Sequence, residues 1–292
     1  MRYLFYTLVP LLVLLVAISL ACIAAYFVVQ GFGEFVPFRK IISKSTQLFL
    51  VLSIFPAMAY LKINKEALGF APIRVFLKQL LQGFGLGFMT LMPVFLALYL
   101  LKINVIDESL TWSVEWLVGN MALSLVLALI ISLIEEPLFR GILLVGLSRK
   151  LPVLAAILIS AVYYAALHFL STKTDISAQD INLFSGFKLL GEAADHLMNP
   201  EILSAFFALL MVGIFLGVLR TQVKSSLGLC IGCHTCWVWQ IKMSKQLFNT
   251  DFSSDYLYLV SSYDGVIGPF VTGWLILAIT GYFVYQRVIL SR

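Results

Sequence analysis

Apolar residues fill this chain in long unbroken runs rather than in the short alternations of a soluble fold. Eight runs stand out, at 4–29, 45–61, 80–101, 114–133, 151–170, 202–219, 225–241 and 266–289. A helix needs about 20 apolar residues to cross the hydrocarbon core of a bilayer, so each run predicts a span, the second and seventh being short. Hydrocarbon offers no partner to an unpaired backbone N–H or C=O, which selects helices or closed barrels. The pattern predicts an all-α, polytopic transmembrane bundle of about eight spans. No internal repeat is evident and no linker is long enough to divide the chain, so a single membrane domain over 1–292 is expected.

Two polar stretches qualify this picture. Between the second and third runs, Ile73, Phe76, Leu77 and Leu80 recur at helical spacing with Arg74 and Lys78 among them. This predicts a basic amphipathic helix over 64–79 lying in the membrane interface, the start of a tilted third span being the alternative. The longest polar stretch, 171–200, carries Asp175, Asp180, Glu192 and Asp195. It is expected to be a solvated loop.

Composition supports the membrane reading. The chain is 61% hydrophobic and 12% charged, with a mean hydropathy of +0.98, where a soluble domain carries ~25% charged residues. The net charge of +5 does not call for nucleic acid, because no basic run carries interleaved aromatics. In a membrane protein, excess Lys and Arg set topology. With the N-terminus inside and the spans alternating, eleven Lys and Arg fall inside, from Arg2 to Arg292, against eight outside. Both termini are then cytoplasmic, in the inner membrane if the source is bacterial. Arg2 followed by the 4–29 run resembles a signal sequence, but the run exceeds the ~7–15 residues of a signal core.

Charge inside an apolar run is the informative exception, since each buried charged residue costs about 2.5–3.5 kcal/mol on insertion scales. The fourth run meets Glu135, Glu136, Pro137 and Arg140 before apolar sequence resumes from Ile142 to Leu147. Glu136 and Arg140, at i,i+4, can pair on one helix face, leaving Glu135 the freer carboxylate. Two adjacent carboxylates in a low dielectric cannot both be charged cheaply, so one is available to give or take a proton. Pro137 cannot donate a backbone hydrogen bond and should kink the helix. Of the three histidines, His168 closes the fifth run, His234 sits in the seventh, and His196 lies in the polar loop. Glu135 lies ~21 Å before, and His168 ~28 Å after, the turn around Arg149; His234 lies ~15 Å past Lys224. Carboxylates and imidazoles thus share one membrane layer, a pattern suited to hydrolysis, to a proton-coupled transporter, or to helix-to-helix glue in a scaffold.

The cysteines, Cys22, Cys230, Cys233 and Cys236, all lie in apolar runs and form no secreted disulfide framework. Cys230 to His234 spells C-x-x-C-H, the haem-attachment pattern, but in a buried segment where haem attachment lacks access. Cys230, Cys233 and His234 at i, i+3 and i+4 could hold a metal with Glu135 and His168. Small residues beside Gly228 and Gly232 that allow close helix packing are the preferred reading.

Glu135-Glu136-x-x-x-Arg140, an aromatic-x-x-x-His at Tyr164 to His168, and a His in a later span resemble the CAAX-processing and bacteriocin-processing (CPBP) family of intramembrane proteases, over roughly 114–240. The resemblance implies an intramembrane endopeptidase acting on a membrane-embedded or lipidated substrate, including prenylated CAAX-type ends. It implies Glu135 as the base that activates water, His168 assisting, and His234 stabilising the oxyanion. Glu136, Arg140 and Tyr164 would support the site. Glu135, His168 and His234 could instead bind Zn²⁺ with water in the fourth position; no soluble cofactor is implied. The sequence departs from the family pattern twice. Tyr164 stands where Phe is usual, and Val238 stands where the third motif usually has Asn. Thr235, Gln240 or a Trp indole are the candidates to replace that Asn, and a non-catalytic member is the alternative.

Overall fold

The structure, a computed structural model, describes residues 2–110 and 113–289; Arg292, counted above among the inside bases, lies outside them. Each of the eight runs is helical. They correspond to α1 (Arg2–Phe32), α2 (Phe38–Leu61), α4 (Ile73–Leu100), α5 (Val114–Glu136), α7 (Val153–Phe169), α9 (Leu203–Gln222), α10 (Leu227–Leu247) and α11 (Pro269–Ile289). Shorter helices are α3 (Lys65–Leu68), α6 (Leu144–Ser148) and α8 (Ser185–Leu197). The chain is an all-α multi-pass membrane bundle.

Among the described residues, six helical stretches are long and apolar enough to cross a membrane by length and composition. Of the eight predicted spans, α7 has only 17 residues and α10 is too polar. Packing explains α10. His234, Thr235, Gln240 and Ser244 are all buried, so their polar groups face neighbouring helices. Phe27, Leu81 and Leu154, by contrast, project outward from α1, α4 and α7, a surface that lipid rather than water must solvate.

The close partner of α10 is α4. A Cβ at Gly232 would stand 2.1 Å from the Leu80 carbonyl oxygen, and one at Gly83 2.2 Å from that of Leu229. Glycines on both helices let the backbones meet, as membrane helix pairs do in the absence of a hydrophobic drive between them.

Two polar stretches fold differently from expectation. No interfacial helix runs over 64–79. Asn64 caps α3 by accepting the Ala67 N–H at 2.8 Å, Gly69 ends it at φ +113°, and Pro72 leads into α4. Ile73 to Leu80 are therefore the first turns of the third span; a Gly and a Pro within four residues break the helical register. The 171–200 stretch is not merely a solvated loop either. It contains α8, which buries Leu189 and Ala193 and sets Gly186 against Cys22 of α1.

The bundle has two distinct ends. The end that holds the N-terminus is closed: Arg149 donates to the Leu61 carbonyl, Arg220 Nη2 to that of Ala67 at 3.1 Å, and the Leu227 N–H to that of Gly69 at 3.0 Å. At the other end β1 (Asn104–Ile106) pairs antiparallel with β2 (Phe248–Thr250), clasping the α4–α5 connection to the end of α10. There Arg39, in the first turn of α2, pairs with Asp175 at 2.6 Å.

Candidate active site

The motif helix changes its winding where the charges lie. α5 is α-helical through Glu136, and Pro137–Leu143 then forms a π-helix before α6 continues. Pro137 removes one backbone donor, and a single π turn is a common accommodation at functional sites. The expected kink thus falls on a widened turn. The Ser160 hydroxyl of α7 donates to the Phe139 carbonyl at 3.1 Å, anchoring the widened segment to the neighbouring helix.

Glu136 and Glu135 receive opposite treatment. Glu136 is fully buried, and its Oε1 accepts a hydrogen bond from His234 Nδ1 at 2.8 Å. Arg140 Nη1 stands 3.2 Å from the same oxygen. It lies off hydrogen-bond geometry and leaves both Arg140 terminal nitrogens without a hydrogen-bond partner. Arg140 therefore acts on Glu136 as a neighbouring charge, and its guanidinium carbon sits 4.3 Å from the centroid of the Tyr164 ring. Such a cation–π contact is worth most when desolvated.

Glu135 is the freer carboxylate, as its spacing predicted. Its side chain is 19% exposed, its Oε2 has no hydrogen-bond partner in the protein, and it lies 3.9 Å from His234 Nε2. A buried carboxylate oxygen without a protein partner is the kind of atom that a water satisfies.

His168 closes α7. Its Nδ1 lies 2.8 Å from the Tyr164 carbonyl. A carbonyl only accepts, so Nδ1 carries the hydrogen and Nε2 of the neutral ring presents its lone pair. Tyr164 stacks between these groups, its centroid 4.6 Å from His168, 5.2 Å from Phe139 and 6.2 Å from His234. Tyr164 and Glu136 are thus packed into the framework. His196, taken as ordinary in the sequence, bonds the Phe169 carbonyl through Nδ1 at 3.0 Å, beside the end of α7.

A cavity of about 400 Å³ opens beside this cluster. Glu135 and His168 line it, whereas Glu136 and His234 do not. Its apolar wall comes from Leu138, Leu167, Leu189 and Leu190, and its polar wall includes Ser43, Thr46 and Gln47 of α2. The contributions of α1 and α8 carry no charge that marks them in sequence, and Arg39 and Lys40 of α2 belong to no motif; only the fold brings them here.

The candidates to replace the missing Asn are mostly committed elsewhere. Trp237 Nε1 donates to Thr90 Oγ1 at 2.9 Å, Gln240 Nε2 to the Gly87 carbonyl at 3.3 Å, and Trp239 Nε1 to the Met121 carbonyl at 3.2 Å. Of the donors among these, the Thr235 hydroxyl alone is buried without a partner. The metal expectation fares poorly on geometry. Among the described residues no three His, Cys, Asp or Glu side chains stand together as a metal would need; Nδ1 of both histidines is bonded, which leaves Nε2 as the nitrogen a metal would take. Cys230 points its thiol at the Leu216 carbonyl, 3.6 Å away, so the thiols pack rather than join the carboxylates.

Residues 117–240 match a family model described as "Rce1-like: Type II CAAX prenyl endopeptidase Rce1-like". That segment is Rce1-like. It spans Glu135, His168 and His234 together with α8, and bears out the resemblance read from the motifs. The Rce1-like segment sits in a multi-pass membrane protein and supports a membrane peptidase at the level of the family. No curated protein and no solved structure matches the chain.

Proposed function

We propose that the chain is an intramembrane endopeptidase that hydrolyses a peptide bond of a membrane-associated substrate. The observation that carries this reading is the division of labour between adjacent carboxylates: Glu136 is bound to His234 beside Arg140, while Glu135 shares a cavity wall with His168. Glu135 takes a proton from water, and the resulting hydroxide attacks the scissile carbonyl carbon. His168 Nε2 accepts a hydrogen bond from that water and holds it. In the tetrahedral intermediate His234, as an imidazolium supported by the Glu136 carboxylate, donates Nε2–H to the oxyanion. Glu135 then returns its proton to the leaving amine, the C–N bond breaks, and both groups regain their starting states.

The cluster's charges agree with this cycle. Two carboxylates and one guanidinium leave a net negative charge in a medium that penalises it. The imidazolium that His234 forms in the intermediate offsets that charge. The whole chain is read as one membrane domain with its catalytic core over 114–240 and both termini in the cytoplasm, in a bacterial source across the inner membrane. A second reading, a non-catalytic binding protein on the same scaffold, is favoured by Val238, which offers no donor where the family pattern has Asn.

The test is cleavage of a quenched peptide library, prenylated members included, by the purified full chain with and without a chelator. Turnover that survives the chelator supports water activation by Glu135 directly. Turnover abolished by the chelator and restored by Zn²⁺ would replace that mechanism with a metal-dependent one.

A further inference from the structure

The part of the cavity wall that α2 supplies runs parallel to the motif helix. Leu50 shares an apolar cluster with Leu138. Farther along the same pair of helices, a Cβ on Gly146 would meet the Leu61 side chain at 3.2 Å. Three residues before Leu50 and Leu138 stand Gln47 and Glu135. That is a little under one helical turn on each, so the two side chains lie at one depth, and both line the cavity.

A carbonyl oxygen that gains negative charge beside Glu135 needs hydrogen-bond donors, and donors in place before the reaction stabilise it most. His234 offers one from within the bundle, for it does not line the cavity. Of the neutral side chains that do, the Thr46 hydroxyl is spent on the Ile42 carbonyl at 2.9 Å and that of Thr172 on Glu192 at 3.2 Å. Ser43 stands one turn farther from Leu50, and Ser171 lies past the end of α7. Gln47 differs. Its Oε1 accepts a hydrogen bond from Lys44 Nζ at 3.0 Å. An ammonium only donates, so the amide is turned with its NH2 away from Lys44. Among the described residues that NH2 has no partner, and both of its hydrogens are free to donate.

We infer that Gln47 is a further catalytic residue, whose Nε2 donates a hydrogen bond to the scissile carbonyl oxygen from the α2 wall as that oxygen becomes the oxyanion. The inference rests on the peptidase reading. Gln47 transfers no proton and stays neutral throughout, so the course of protons in the hydrolysis is unchanged. Lys44 is a positioning residue that fixes which face of the amide meets the cavity. Both lie outside residues 117–240, the segment that matches the family model. The site is thus completed by a helix that the matched segment does not contain.

The test compares the purified full chain with Gln47→Met, which keeps the length of the side chain and removes the donor, on a quenched peptide that the wild type cuts. Gln47 is exposed, so the unfolding midpoint should hold. The value of kcat should fall about 100-fold, the lower range of what the loss of one such donor costs, with KM nearly unchanged. Gln47→Glu, which keeps the shape but offers no donor, should lose at least as much. A phosphinic analogue of the same peptide, whose anionic oxygens stand in for the tetrahedral intermediate, should bind Gln47→Met more weakly by a similar factor. Lys44→Met should lower kcat by less, and Lys44→Arg should restore it. A kcat within a few-fold of the wild type, a rise in KM alone, or unchanged affinity for the analogue overturns the role of Gln47 and leaves the peptidase standing. Absence of turnover by the wild type across the whole peptide library overturns the peptidase reading and the role of Gln47 with it.

Discussion

His234 Nδ1 and Glu136 Oε1 meet at 2.8 Å across two helices that lie 98 residues apart in the chain. This bond joins α10 to the motif helix and turns His234 Nε2 toward Glu135, at 3.9 Å. Glu136 thereby serves two cations, His234 when protonated and Arg140 always. Removing it strands a buried guanidinium whose terminal nitrogens already lack hydrogen bonds. Breaking one side of a buried ion pair costs about 3–5 kcal/mol. Glu136→Ala should therefore lower the unfolding midpoint in detergent substantially, and Glu136→Ala with Arg140→Met should recover part of the loss. Equal midpoints for the wild type and Glu136→Ala would remove Glu136 from the framework.

The α4–α10 crossing makes a sharper steric prediction. Gly232→Ala forces a methyl group to within 2.1 Å of the Leu80 carbonyl oxygen, and backbone on both sides prevents local relief. Overpacking of this kind costs about 1–3 kcal/mol or more, and it displaces the helix that carries His234, so both yield and turnover should fall. Gly85, on the same helix pair, has nothing within 4 Å of its Cβ position. Gly85→Ala should be neutral or stabilise by up to ~1 kcal/mol through helix propensity. Thermal unfolding of the two variants side by side checks the contrast.

Much of this arrangement was legible in sequence. Apolar run length gave the helices, and the cost of charge in lipid singled out Glu135, Glu136, Arg140, His168 and His234. The i,i+4 rule assigned Glu136 to Arg140 and left Glu135 free. What sequence did not yield was lateral: that His234 would choose Glu136, that α8 would fold back onto α1, and that α2 would wall the cavity. Those outcomes depend on which helix faces pack, and apolar runs of similar composition do not encode their neighbours. The break at Gly69 and Pro72 was readable, but the amphipathic spacing from Ile73 onward pointed to the interface more strongly than the turn residues pointed to a new span.

The ion pair between Arg39, which lines the cavity, and Asp175 should be weak. Arg39 and Asp175 side chains are 30% and 57% exposed, and exposed pairs are worth about 0.2–1 kcal/mol. Asp175→Asn should leave the unfolding midpoint within a degree or two. Its effect belongs to access: KM for a peptide should change while kcat holds, and high salt should reproduce the change in the wild type. A fall in kcat alone would assign Asp175 a different role.

At the same end of the bundle, hydrogen bonds from the hydroxyl and N–H of Ser109 hold the Asp107 carboxyl below its usual range, and those of Ser253 do the same for Asp251. A carboxylate with a lowered folded-state pKa stabilises the fold above its unfolded pKa and loses that contribution as pH falls through the folded one. The β1–β2 clasp should accordingly loosen on acidification below about pH 4 and stay unchanged between pH 6 and 8. Amide exchange of 104–106 and 248–250 across that range reads the effect; exchange that rises toward alkaline pH beyond the intrinsic chemical rate would contradict it.

The most direct test sets Glu135→Gln against the wild type in one detergent preparation, measuring both the unfolding midpoint and the cleavage of a quenched peptide that the wild type cuts. Glutamine keeps the shape of the side chain but cannot take the proton from water. The account predicts an unchanged midpoint and a loss of turnover of at least about 100-fold, the lower range of what a positioned acid–base group supplies. Turnover retained within a few-fold of the wild type would contradict the assignment of Glu135 as the base.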